Sequence, residues 1–111
     1  MKASVEIDAG ICGFRTTACV NSEDNQNVTF DIDTNCEKIT RLAQNLGEKG
    51  HIDAYQEISP GGPAVIMTAA EENLTGCCAG CAVPAGLFKA MQVAADLALP
   101  KDITIKLAKG N

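Results

Sequence analysis

Tryptophan is absent, and Phe14, Phe30, Tyr55 and Phe88 are the only aromatic residues in a chain of 111. So few rings, so widely spaced, exclude a base-stacking platform for single-stranded nucleic acid. Positive charge is scarce as well: nine Lys and Arg stand against fourteen Asp and Glu, a formal net charge of −5. The cations are scattered singly, so the field repels phosphate backbones and anionic lipid, and neither nucleic acid nor a membrane surface is an expected partner. No uninterrupted apolar run of about 18 residues is present, and charges at Lys2, Glu6 and Asp8 interrupt any signal-like opening. The expected compartment is the cytoplasm, where thiols stay reduced.

The length suits a single domain, 1–111, able to bury a core without crosslinks. Six cysteines, about 5% of the residues, fall below the ~8–10% of disulfide scaffolds. Their crowding, with Cys77, Cys78 and Cys81 in five residues, points to metal ligation or redox work.

Periodicity predicts an α+β, two-layer fold: an N-terminal antiparallel β-meander plus a C-terminal strand, packed against at least two helices. Val5, Ile7 and Ala9 alternate with Glu6 and Asp8. Phe14, Thr16, Ala18 and Val20 alternate with Arg15, Thr17 and Cys19, and Val28, Phe30 and Ile32 alternate with Asp31 and Asp33. The polar stretch Ser22 to Asn27 reads as the turn between the second and third strands. Thr34-x-x-Glu37 predicts a capping box, opening a helix with Ile39, Leu42, Ala43 and Leu46 on its buried stripe and Glu37 paired with Arg41. Ile52 to Ile58 reads equally as strand or short helix. Ala64 to Asn73 reads as a helix entered at Pro63 or as a strand followed by a helical turn. A largely apolar helix is predicted from Pro84 to about Leu99, broken by Pro100. It is expected to lie beneath another helix or to form a homodimer interface. Ile103, Ile105 and Leu107 predict the last strand.

The meander brings Cys12, in its first turn, and Cys36, at the start of the first helix, to one sheet edge. Cys19 lies on the order of 20 Å down the second strand. Whether the loop carrying Cys77, Cys78 and Cys81 reaches the same edge depends on the number of chain reversals between Gly50 and Gly76. Convergence is expected, because thiolates at helix starts are stabilised by free amides and the helix dipole. Cys78-x-x-Cys81 has the spacing with which two thiolates grip one metal. Together Cys12, Cys36, Cys78 and Cys81 would form a four-thiolate site, with Cys77 as a spare ligand. The expected cofactor is an iron–sulfur cluster or Zn, serving electron transfer, metal handling or docking to a redox protein partner. A thiol-redox or sulfur-transfer enzyme is the alternative, with Cys81 a low-pKa nucleophile resolved by Cys78 or Cys77. A third reading is a non-catalytic interaction protein whose cysteines are small core hydrophobes. Cys19 reads as a bystander and His51 as a solvated loop residue. Glu6, Asp8, Asp31 and Asp33 read as a solvated face.

Cys81 to Ile105, with Ala82-Val83-Pro84, an alanine-rich helix and Leu99-Pro100-Lys101-Asp102 before the last strand, resembles the C-terminal stretch of a family of small uncharacterised proteins from anaerobic bacteria and archaea. Gly10-Ile11-Cys12-Gly13-Phe14 is a looser echo of it. That family's pattern has Pro directly after the cysteine, where this chain has Ala82. The resemblance implies a domain boundary and an anaerobic, metal-tolerant setting, and it carries no assigned function.

Overall fold

The computed structural model describes residues 1–110. Three strands form the predicted meander, β1 (Lys2–Asp8), β2 (Arg15–Asn21) and β3 (Asn27–Thr34), followed by α1 (Glu37–Glu48). A two-residue β4 (Ile52–Asp53) leads directly into a single turn, α2 (Ala54–Glu57), so the ambiguous Ile52–Ile58 segment is strand and helix in succession. Then come α3 (Val65–Asn73), a 3-10 turn (Gly76–Gly80) and α4 (Val83–Ala94). The sheet order is β1-β2-β3-β4, antiparallel throughout.

Strand parity divides the sheet as the alternation predicts. Ile7, Ala18, Val20 and Val28 face a core shared with Ile39, Leu42 and Leu46 of α1, Ile66 of α3, and Leu87 and Met91 of α4. Glu6, Asp8, Asp31 and Asp33 are exposed on the other face, where Glu6 pairs with Arg15. α4 lies over β1 and β2, and α1 over β3.

α1 begins differently from the predicted capping box. Its N-cap is Cys36, with no side-chain cap hydrogen bond. Thr34 is committed elsewhere: its hydroxyl pairs with that of Thr16 at 2.9 Å and accepts from the Cys36 amide at 3.2 Å. Glu37 and Arg41 do pair, at 3.6 Å.

Two expectations near the end of the chain are corrected. α4 stops at Ala94 instead of about Leu99, because Asp96 turns left-handed (φ 61°). The Leu97 amide then donates to the Gln92 carbonyl at 2.7 Å and the Asp96 amide to that of Val93 at 3.1 Å. This is a Schellman stop with Asp where glycine is usual, so no sequence signal marks it. The predicted C-terminal strand is likewise not paired: residues 99–110 run exposed and without secondary structure. The alternation of Ile103, Ile105 and Leu107 is present, but among the described residues no strand of the same chain pairs with it. The stretch Gly76–Ala94 has the length and mean hydropathy (1.3) to cross a membrane. It is divided into two helical pieces at Cys81, whose backbone is extended (φ −58°, ψ 138°).

Candidate functional site: four cysteines at one sheet edge

β1 ends and β2 begins at the same edge of the sheet. The connection between them is a tight turn in which the Gly13 amide donates to the Gly10 carbonyl at 2.9 Å. Gly10 and Gly13 both have positive φ (91° and 76°), a conformation that costs glycine little. Cys12 sits at the tip of this turn, exposed to solvent. β3 returns to that edge and delivers Cys36, half-buried, at the start of α1.

α1 then runs away from the edge and α3 returns to it, and two contacts trace the ascent. Asn73 Nδ2 donates to Asn45 Oδ1 at 2.6 Å, and, nearer the edge, Lys38 Nζ donates to the Thr75 carbonyl at 3.4 Å. One reversal between Gly50 and Gly76 therefore brings the Cys77–Cys81 segment beside the start of α1. α4 leaves from the same place, with Gly86 against Ile7 and Val5 of β1.

Within that segment the Cys78 carbonyl accepts from the Cys81 amide at 3.1 Å. The two-residue spacing is thus closed into one turn of 3-10 pitch, in which residues three apart lie on the same side. Both cysteines pack partly against the core, whereas Cys77 is exposed. The Val83 amide, in the first turn of α4, donates to Cys81 Sγ at 3.5 Å. Burial nevertheless pushes the Cys81 thiol up, the Val83 amide pulling back only in part, and the fields of Cys12, Cys36 and Cys78 raise it further. The expectation of an acidic, low-pKa Cys81 is therefore reversed. The same effect shows that the other three thiols lie within electrostatic reach of Cys81.

The four cysteines share one end of the sheet without being clamped around a point. Among the described residues, no three His, Cys, Asp or Glu side chains already form a group that could hold a metal ion. Cys19 is exposed on the acidic face, opposite Ser4 and Asp31 in the strand register. His51 is exposed beyond the far end of α1, roughly 18 Å of helix away at 1.5 Å per residue. Shallow depressions of about 370 and 360 Å³ lie beside Asp31–Thr34 and on the acidic face, away from Cys78 and Cys81.

Sequence reasoning missed one buried carboxylate that sets this geometry. Glu57 spans the Ser59–Pro63 loop and caps α3, accepting from the Val65 amide through Oε2 and the Ile66 amide through Oε1, each at 2.9 Å. The available signal was an acid between Tyr55 and Ile58 with no partner charge nearby in sequence. By fixing the entry of α3, Glu57 aims that helix back toward the thiol edge. No curated protein and no solved structure matches the chain. Residues 3–107 match one family model, and the chain belongs to that family, the family of unknown function DUF6951.

Proposed function

We propose that this protein binds a metal ion or an iron–sulfur cluster through Cys12, Cys36, Cys78 and Cys81. The observation that carries this reading is the arrival of four cysteines, from three separate stretches of chain, at one sheet edge. The donor set suits soft thiophilic metals. Binding would draw the sulfurs inward: Cys12 rides on a turn hinged by Gly10 and Gly13, and Cys78 and Cys81 already share a turn. The metal's charge would replace the mutual repulsion of thiolates with attraction, and ligation would release protons. Cys19, on the acidic face, falls outside the ligand set, and Cys77 is a spare ligand beside it. Such a site serves electron transfer, metal handling or docking to a redox partner, in a reducing compartment such as the cytoplasm where six free cysteines are stable.

The thiol-redox reading keeps one favourable observation, the exposure of Cys77 next to Cys78. The raised Cys81 thiol works against it, since the thiolate is the nucleophile.

The test is to purify the full chain anaerobically, measure iron, zinc and acid-labile sulfide per chain, and record the visible spectrum. Metal-free protein is then titrated with Co(II). The reading expects near-stoichiometric metal, or intense sulfur-to-cobalt charge transfer on titration. Protein with no bound metal and no cobalt–thiolate band would overturn it.

A further inference from the structure

Residues 99–110 and strand β1 are each half of a β-pairing that the single chain leaves unmade. Leu99, Ile103, Ile105 and Leu107 are 90%, 55%, 67% and 93% exposed. Four large apolar side chains in so short a stretch are far more than scattered surface hydrophobics require. Their alternation with Thr104 and Lys106 is that of a half-buried strand. The whole molecule, this segment included, is elongated, with extents of 48 × 28 × 27 Å.

β1 is one lateral edge of the sheet, and the longer of its two edge strands. The Ser22 amide donates to the Met1 carbonyl and the Ala9 amide to the Phe14 carbonyl. The bonded pairs are therefore those of residues 1, 3, 5, 7 and 9, and the backbone groups of Lys2, Ser4, Glu6 and Asp8 point outward, unpaired by β2. An edge of this length is a ready template for another strand. Its inner face carries Val5 and Ile7, roofed by α4 with half-buried Phe88, so an added strand would lay Ile103, Ile105 and Leu107 beneath that helix. Charge agrees as well. Lys101, Lys106 and Lys109 against Asp102 give the segment +2, so the preceding residues carry −7 of the formal −5, and Glu6 and Asp8 lie on the outer side of β1.

We infer that residues 101–107 of one molecule pair with strand β1 of a second copy, and that the exchange is reciprocal, giving a two-fold dimer. An exposed segment meets a partner's edge, and reciprocity leaves neither that edge nor the segment exposed. This inference is independent of the metal site.

Sedimentation velocity of the full chain tests it, under reducing conditions so that exposed thiols cannot crosslink copies and with a chelator so that metal cannot bridge them. The expected mass is twice the 11.6 kDa of one chain. Ile105→Asp alters only an exposed side chain, and Ser4→Pro removes an amide that β2 does not use. Each should halve the mass while leaving the far-UV spectrum of the folded sheet. Full chain that stays monomeric at millimolar concentration overturns the inference, as does a dimer unaffected by both substitutions. A monomer whose amides at 103–107 resist hydrogen exchange would place the segment on its own β1 and overturn it equally. Loss of the dimer leaves the cobalt titration of the thiols to succeed or fail separately.

Discussion

Gly86 in α4 rests on Ile7 of β1 so closely that a β-carbon at position 86 would stand 2.5 Å from Ile7 Cδ1 and 2.9 Å from its Cγ1. This contact seats the first turns of α4 at the thiol edge. Gly86→Ala gains about 1 kcal/mol of helix propensity but forces the buried Ile7 side chain aside, and overpacking costs about 1–3 kcal/mol. A net loss of stability is expected, larger for Gly86→Val. Ile7→Val should relieve it in part. Urea unfolding of the double-mutant cycle checks the contact, and additive effects with no coupling above about 0.5 kcal/mol would reject it.

Removing the Glu57 carboxylate orphans the Val65 and Ile66 amides at the start of α3. Glu57→Ala should cost about 1–3 kcal/mol. Glu57→Gln, which keeps an acceptor oxygen, should lose less. Hydrogen exchange at these two amides reads the effect directly, and unchanged protection in Glu57→Ala would count against the cap.

Gly62 allows still less room: a β-carbon there would lie 1.9 Å from the Gln56 carbonyl oxygen, a backbone atom that cannot step aside. Gly62→Ala is expected to be among the most damaging single-methyl additions in this chain, moving the loop that Glu57 spans. A thermal midpoint equal to that of the parent would show that the loop adapts freely.

Asp24 organises the β2–β3 turn, accepting from the Asn27 side chain at 2.9 Å and from the backbone amides of Asn27 and Gln26 at 2.7 and 3.0 Å. These donors, the Asn27 side chain foremost, hold its carboxyl well below the usual carboxylate range. A depressed folded pKa means stabilisation that is complete above the unfolded value near ~3.9 and fades as pH falls from there toward the folded value. Asp24→Asn should therefore flatten part of the acid limb of stability while changing little in the pH dependence above about 5. Unfolding midpoints from pH 2 to 7 measure this, and parallel curves for parent and variant would refute it.

At the thiols, Cys78→Ser and Cys81→Ser should each weaken Co(II) or Zn(II) binding by at least about tenfold, since both are ligands in the proposed set and not merely outer-shell supports. Cys19→Ser should leave affinity unchanged, the residue lying on the outer face of β2. Competition titration against a chromophoric chelator gives the constants. Equal affinities across all three variants would remove the four-thiol site.

The meander was legible because period-two alternation is unbroken within each of its three strands and one sheet face is wet. The start of α1 was half legible: the Glu37–Arg41 pair formed, while Thr34 was claimed by Thr16, a partner 18 residues away that local sequence cannot reveal. The edge reached by the Cys77–Cys81 loop stayed ambiguous because β4 spans only two residues and passes straight into α2, a reversal too short to leave a periodic signature. The end of α4 was misread because left-handed Asp96 does the work of a glycine. The last strand was expected from a correct alternation, but alternation reports the capacity to pair and not the presence of a neighbour.

Cys36 occupies the one backbone position of α1 where a short oxygen-bearing side chain would do most for the helix. Its φ of −93° and ψ of 122° are those of an N-cap, yet its thiol makes no hydrogen bond to the first turn. Serine or aspartate there would gain about 0.5–2 kcal/mol. Cys36→Asp is therefore expected to yield a more stable protein that has lost a soft donor, and a screen for thermostability alone would select against the proposed metal binding. If Cys36 is a ligand as proposed, stability and metal binding pull this single codon in opposite directions.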